Sequence, residues 1–200
     1  IGLNLASNGA SIRPEIRGEF RHYGISREQF YKNHKPGSGR MYSATPYRGW
    51  IMKITPEYRI IPFAPGFRSP NGVNFDMHGR LWATDNQGDW LGTSKLYHVK
   101  KDNFYGHPAS LVWTKEWEKG RNPLEVPPSE FDKKRTRAAV IFPQGSMANS
   151  PTQMLSDNTK GKFGPFAGQL LVGEMNRPRI VRILVDEIAG EIQGACLPFI

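Results

Sequence analysis

The sequence predicts an all-β protein and, within that class, a β-propeller of four-stranded blades. Three observations carry the prediction. Glycine (21) and proline (16) are abundant, which favours many short elements joined by turns. Eight short segments are rich in β-branched or aromatic residues and bounded by Gly, Pro, Asn or Asp, as strands are. A unit also recurs: "GRMYSATPYRGWIMKI" from Gly39, "GRLWATDNQGDWLGTSKLYHVK" from Gly79 and "GQLLVGEMNRPRIVRI" from Gly168. Each is a glycine, a polar residue, an apolar strand, a polar loop and a second strand with a basic residue inside. The first two units start 40 residues apart and the next 89 residues on, close to twice that, and a period of about 40 to 45 residues marks a propeller blade.

Taken in order, residues 1–38 carry little strand signal and read as loops with one short helix. That helix is "SREQFYKNHK", with Ser26 as cap, Gln29 completing a capping box and Gly37 ending it. Residues 39–116 are blade-like, with strands at "GWIMKITP", "YRIIPFA", "GVNFDM", "RLWATD" and "KLYHVKK". Residues 117–137, "WEKGRNPLEVPPSEFDKKRTR", form a charged, Pro-rich insertion, either a surface excursion or a much altered blade. Residues 138–200 resume the blade pattern with "AAVIFP", "GQLLVGE" and "RIVRILVD". Three to four blades fit in 200 residues. Such a number rarely closes a ring, so further chain or partner copies are expected to complete it.

Bulk properties narrow the classes of function. The net charge is +9 and the pI near 9.8, but the cations are scattered apart from "KKRTR", Lys133 to Arg137. No recognition helix, zinc finger or RNA-binding aromatic motif accompanies them, so a solvated basic surface with one basic loop is expected rather than a nucleic-acid interface. The single cysteine, Cys196, excludes an internal disulfide and a cysteine metal cluster, and in "GACLPFI" it reads as a small core residue. No stretch has the length of a membrane span. The chain starts at Ile1 without a leader and stops inside an apolar run, so it reads as a piece of a longer protein.

The chemistry is concentrated in "RSPNGVNFDMHGRLWATDNQGDW", residues 68–90. Pro70 and Asn71-Gly72 make a tight turn, and Arg68 before it offers a forked cation suited to a carboxylate or phosphate. Asp85, Asn86, Gln87 and Asp89 around Gly88 offer oxygens for a cation or a polar ligand, or serve simply as turn residues. Asp85 and Asp89, four residues apart on one loop, are poorly placed for glycoside hydrolysis. Of the histidines, His22 and His34 lie in the N-terminal stretch, His78 in the turn "DMHG" and His98 on a strand, all read as structural or solvated.

The segments "YRGWIMKITPEYRIIPFAPGFRSPNGVNFDMHGRLWATDNQGDW", "KLYHVKKDNFYGHP" and "GKFGPFAGQLLVGEMNRPRIVRI" resemble the glucose/sorbosone dehydrogenase family of six-bladed propellers. The likeness is greatest to large secreted planctomycete-type proteins that carry such a propeller, often fused to a cytochrome c-like module. It runs from about Gly39 to Ile200 and is weaker between Trp117 and Arg137. The resemblance implies oxidation of a sugar or sugar-derived aldehyde by hydride transfer to pyrroloquinoline quinone (PQQ), with calcium polarising the quinone carbonyl. It also implies a cytochrome c-like electron acceptor and a periplasmic or secreted location.

The family's Arg-Asn-Pro-Gln-Gly turn resembles "RSPNG", which maps Arg68 and Asn71 to the cofactor, with Ser69 in place of asparagine and Asn71 in place of glutamine. Its Glu-(His/Gln)-Gly-Pro calcium turn resembles "DNQG", with the proline absent and one residue added. That makes Asp85, Gln87, Gly88 and Asp89 the metal candidates and Gln87 a further cofactor contact. "GEMNRPR" resembles a loop carrying another cofactor-binding cation, with Arg177 and Arg179 as candidates. "MANSPTQM" resembles the turn opening another blade, so Ser150-Pro151 repeats the device of Ser69-Pro70. The family's base histidine lies in an earlier blade that this chain lacks, and the catalytic base is unassigned. His107, in "FYGHP" where the family has Tyr-Gly-Trp-Pro, is the one outside candidate. A non-catalytic propeller that binds carbohydrate or protein is the alternative.

Overall fold

The computed structural model describes residues 1–3, 47–87, 91–118, 121 and 126–200. The expected N-terminal helix, His22, His34, Gly88 and Asp89 lie outside these residues. The described residues group into two compact units, one drawn from residues 1–69 and 102–136, the other from Pro70–Gln87, Leu91–Lys101 and Arg137–Ile200.

The first unit contains a three-stranded antiparallel sheet in the order β1 (Gly2–Leu3), β2 (Trp50–Ile54), β3 (Ile60–Pro65). The Ile1 amine donates to the Met52 carbonyl at 2.9 Å, which ties the first residues to β2. β3 carries Pro62 and Pro65 and lies at the sheet edge, where a strand tolerates residues with no N–H. Among the described residues the unit also contains a short 3₁₀ helix, Pro108–Trp113, and α1, Pro128–Lys134. Phe104, Val126 and Phe131 pack with Leu111 and Trp117 into a small apolar cluster beneath them. The "KKRTR" run is helical only in its first two residues, and Arg135 to Arg137 follow outside the helix. Lys133 and Lys134 form the last turn of α1, where cations meet the negative end of the helix dipole, and the prolines at 127 and 128 start that helix.

The second unit holds two four-stranded antiparallel sheets, each an up-and-down meander, the architecture of a propeller blade. One runs β4 (Pro70–Phe75), β5 (Leu81–Asp85), β6 (Ser94–His98), β7 (Val140–Phe142). The other runs β8 (Pro151–Ser156), β9 (Leu170–Glu174), β10 (Arg179–Ile188), β11 (Glu191–Pro198). Trp82, Leu96, Val140 and Phe142 of the first sheet and Met154, Leu170, Val172, Val181 and Ile183 of the second form one buried core, against which Cys196 packs. Each fully buried aliphatic or aromatic side chain there contributes about 1.5–3 kcal/mol, so this face-to-face burial is the main force holding the two sheets together.

Two of the three units read in the sequence correspond in space, while the first begins at Gly39, outside the described residues. Gly79 and Gly168 both adopt positive φ (75° and 78°) in the turn before the second strand of their sheets, β5 and β9. Both sheets begin on proline, Pro70 and Pro151, paired respectively with Asp85 and Glu174 at the end of the next strand. The long spacing from Gly79 to Gly168 arises because residues 99–139 intervene between β6 and β7 of a single sheet.

The turn from β4 to β5 is built on Asp76. Its Oδ1 accepts from the His78 and Arg80 amides at 2.9 Å each, and its Oδ2 accepts from Arg80 Nε (2.6 Å) and Trp82 Nε1 (2.9 Å). Burial pushes the Asp76 carboxyl up, but the hydrogen bonds from Trp82, Arg80 and His78 outweigh it and hold it below the ordinary carboxylate range. A lowered carboxyl stabilises the fold above its unfolded-state value, about 3.9, and that contribution disappears as pH falls through the folded value. Chemical denaturation between pH 7 and pH 3 is expected to show the wild type losing its advantage over Asp76→Asn only below about pH 4. An advantage that vanished well above that pH would refute the role given to this carboxylate.

Candidate functional site

Within the second unit the sequence candidates gather at one end of the two sheets, where β4 and β8 begin and β5 and β9 finish. Strand alternation explains why polar side chains occupy inner strands here. They do not face an apolar core but reach across to the next sheet and satisfy the backbone carbonyls of its edge strand, β8. Asn71 Nδ2 donates to Pro151 O (3.0 Å), Thr84 Oγ1 to Thr152 O (2.9 Å) and Asn74 Nδ2 to Met154 O (3.1 Å). Ser94 Oγ donates to Asn149 O (2.7 Å), and Asn86 Nδ2 to Ser150 Oγ (3.0 Å). An exposed row of carbonyls on an edge strand is a liability, and this polar seam removes it.

Each candidate can now be placed. Asp85, 2 % exposed, ends β5 and opposes Pro70 and Lys95 in the ladder. Its repeat partner Glu174 shows what a carboxylate at that position does. Glu174 Oε1 accepts from the Ser150 amide (2.9 Å) and the Asn176 amide (3.0 Å), clasping the turn that opens β8. Gln87 is anchored through Ser94, whose hydroxyl accepts the Gln87 amide at 3.1 Å and approaches Gln87 Oε1 at 3.2 Å. Arg177 Nη1 donates to Gly145 O (3.0 Å), and Arg179 Nη1 donates to the carbonyls of Ser146 and Met147, the latter at 3.3 Å. Both guanidiniums therefore brace the loop ahead of β8, and each has five N–H donors, so donors remain beyond those contacts.

Arg68 and His107 belong to the first unit, and both are 4 % exposed. The His107 amide donates to Gly66 O at 2.8 Å, and its carbonyl accepts the Ser110 hydroxyl at 2.9 Å, fixing the entry to the 3₁₀ helix. Two of the four metal candidates, Gly88 and Asp89, are outside the described residues.

The described residues of the turn do not by themselves make a calcium site. The turn the resemblance assigns to it directs the Asn86 carbonyl at Lys95 Nζ, 3.3 Å away. Calcium takes six to eight oxygens, whereas no group of three or more His, Cys, Asp or Glu side chains suited to a metal occurs among the described residues. The chemistry of a quinone with several carboxylates fits better, because the same end of the sheets carries the guanidiniums of Arg177 and Arg179 and the amides of Asn71 and Gln87.

Sequence reasoning missed Glu174, Ser94 and Lys95. Glu174 was findable, since it follows Gly168 by the same six residues that separate Asp85 from Gly79. Ser94 acts through the carbonyl of Asn149, 55 residues away, and Lys95 through the backbone carbonyls of Asn86 and Leu91, which no residue type announces.

No protein-family model matches the chain, and no curated protein matches it. Solved structures do. The PQQ-bound aldose sugar dehydrogenase of Streptomyces coelicolor is 17 % identical, with a TM-score of 0.46 over 74 % of this chain and 39 % of its own. The holo PQQ domain of pyranose dehydrogenase from Coprinopsis cinerea is 14 % identical, with a TM-score of 0.46 over 76 % of this chain and 46 % of its own. A crystal structure of a glucose dehydrogenase is 14 % identical, with a TM-score of 0.49 over 83 % of this chain and 48 % of its own. The chain thus spans less than half the length of each of these proteins.

Proposed function

We propose that this chain is part of a quinoprotein-type oxidoreductase that oxidises a sugar or sugar-derived aldehyde, passes electrons to a cytochrome c-like acceptor and works in the periplasm or outside the cell. The observation that carries the reading is the donor set at one end of the two blades, Arg177, Arg179, Asn71 and Gln87, at the positions the family resemblance assigns to cofactor contacts. Bound there, PQQ would supply the two-electron acceptor chemistry that no side chain has. The chain's own part is to bind and orient: the guanidiniums suit carboxylates, the amides suit carbonyls, and the seam beneath holds both in register. His107 as general base is supported less, because a base must reach the proton it takes and this imidazole is almost wholly enclosed in the first unit.

A second reading, a non-catalytic propeller binding carbohydrate or protein, is favoured by a different observation. Asn71, Arg177 and Arg179 already serve structural carbonyls, as a ring-closing seam would require.

Equilibrium titration of the full chain with PQQ, followed by an aldose assay with an artificial electron acceptor, separates the two. Arg177→Ala is expected to weaken quinone binding about 10–100-fold, the value of one charge-assisted hydrogen bond, and Arg68→Ala by a similar factor if the resemblance places it correctly. No saturable quinone uptake by the wild type, with both variants folded and indistinguishable from it, leaves the non-catalytic reading.

A further inference from the structure

We propose that the tip of the β2–β3 hairpin, Lys53 to Ile61, is a peripheral anchor that seats this chain on an anionic lipid surface. The tip is a β-turn over Thr55–Tyr58 with Pro56 in its second position. The Tyr58 amide donates to Thr55 O and the Thr55 amide to Arg59 O, both at 2.9 Å. Tyr58 closes the turn with a φ of 58°, the left-handed conformation that hairpins of this kind usually give to glycine. For a bulky aromatic residue that conformation is an outlier and costs stability. At 88 % exposure the ring recovers almost none of that cost by burial within the fold. A strained aromatic side chain held out in solvent points to a contact outside the chain.

The residues around Tyr58 identify the contact. Ile54 faces Ile60 across the hairpin and Lys53 faces Ile61 one step along, so the two pairs lie on opposite faces. Ile54, Ile60 and Ile61 are all exposed, Ile60 to 64 %. β1 pairs with Trp50 and Ile51, so the tip projects beyond it. A protein partner would cover one face of such a hairpin. Apolar side chains on both faces and at the tip suit a medium that surrounds them, and the bilayer interface is one. There the isoleucines meet acyl chains, while a tyrosine ring sits at headgroup level with its hydroxyl in water. Charge then selects the lipid. Lys53 and Arg59 are exposed at the tip against one acid, Glu57, in a chain of net charge +9, so anionic headgroups are drawn to it. Anchoring of this kind is independent of whether the chain binds a quinone.

The test is flotation of the full chain with vesicles of phosphatidylcholine alone and of an equal mixture of phosphatidylcholine and phosphatidylglycerol, at about 0.15 M salt. The wild type is expected to float with the mixed vesicles and much less with the neutral ones. Lys53→Ser and Arg59→Ser should each weaken that partitioning about fivefold. Tyr58→Gly should weaken it by a similar factor while raising Tm by about 2–4 °C, because the backbone strain leaves with the side chain. A residue with a purely structural role would not move the two readouts in opposite directions. Lys133→Ser, on α1, is the control and should change partitioning little; a loss equal to that of Arg59→Ser would mean that bulk positive charge does the binding, and overturns the proposal. Binding of the mixed vesicles that survives Tyr58→Gly unchanged also overturns it. A wild type that ignores the mixed vesicles overturns it too, whatever protein the hairpin then contacts.

Discussion

Trp82→Ala is expected to lower the melting temperature by roughly 6–20 °C, the largest effect of any single substitution considered for this chain. Trp82 is 0 % exposed and sits at the centre of the core shared by the two blades. Removing an indole leaves a cavity that neighbouring β-strands cannot collapse into, at a cost of about 3–5 kcal/mol. A second loss adds to it. Trp82 Nε1 is one of four donors that satisfy Asp76, and Arg80 and His98 lie against the indole ring at 5.6 and 5.4 Å. Without the indole, the turn carboxylate is less well satisfied and the two basic groups lose their platform. Trp82→Phe separates the contributions, since it keeps most of the volume and drops the N–H; its expected cost is about 1–2 kcal/mol. A double-mutant cycle with Asp76→Ala should give a coupling of about 1 kcal/mol or more, and additivity within error would show that the two residues act independently. Urea denaturation of the wild type, the two Trp82 variants, Asp76→Ala and the double mutant measures all of this.

The blades were legible because their signals are local. "RLWATD", "GQLLVGE" and "RIVRILVD" alternate or cluster apolar residues between turn residues, and each is a strand in the structure. β8 and β11 were not legible as strands. "PTQMLS" opens on proline and carries polar residues at half its positions, because its edge faces the side chains of the preceding blade rather than a second hydrogen-bonded strand. "EIQGACLP" is an outermost strand with a mostly exposed pattern, so no apolar face announces it. α1 was hidden inside a proline-rich stretch, although two prolines followed by Ser129 and Glu130 form a helix start when the next turns carry Phe131 into a core. At the candidate site, the sequence was sufficient to find the turns and the cations. It was silent on how those side chains are used, because Asn71, Ser94 and Lys95 each donate to a backbone carbonyl, and a carbonyl has no residue type to read.

Gly72→Ala is expected to destabilise the second unit by about 3 kcal/mol or more, although Gly72 adopts a backbone conformation open to any residue. The reason is proximity. A Cβ at this position would fall onto the Cα of Gln153, 2.5 Å from its N and 2.8 Å from its Cβ, so β4 and β8 touch backbone to backbone. Backbone atoms cannot rotate out of the way, and the two edge strands must part. Parting them lengthens the seam bonds on either side of Gln153, from Thr84 to Thr152 O and from Asn74 to Met154 O, and leaves edge carbonyls unsatisfied. Amide exchange in β4 and β8 should therefore rise together, ahead of β10, whose partners lie on the far side of its sheet. Gly79→Ala is the control, because Gly79 has a positive φ of 75° and open space around it, so only its conformation is at stake. That change should cost about 1 kcal/mol and leave the seam protected. Equal effects at the two glycines would mean that turn conformation, and not the close approach of the inner strands, limits the packing of one blade against the next.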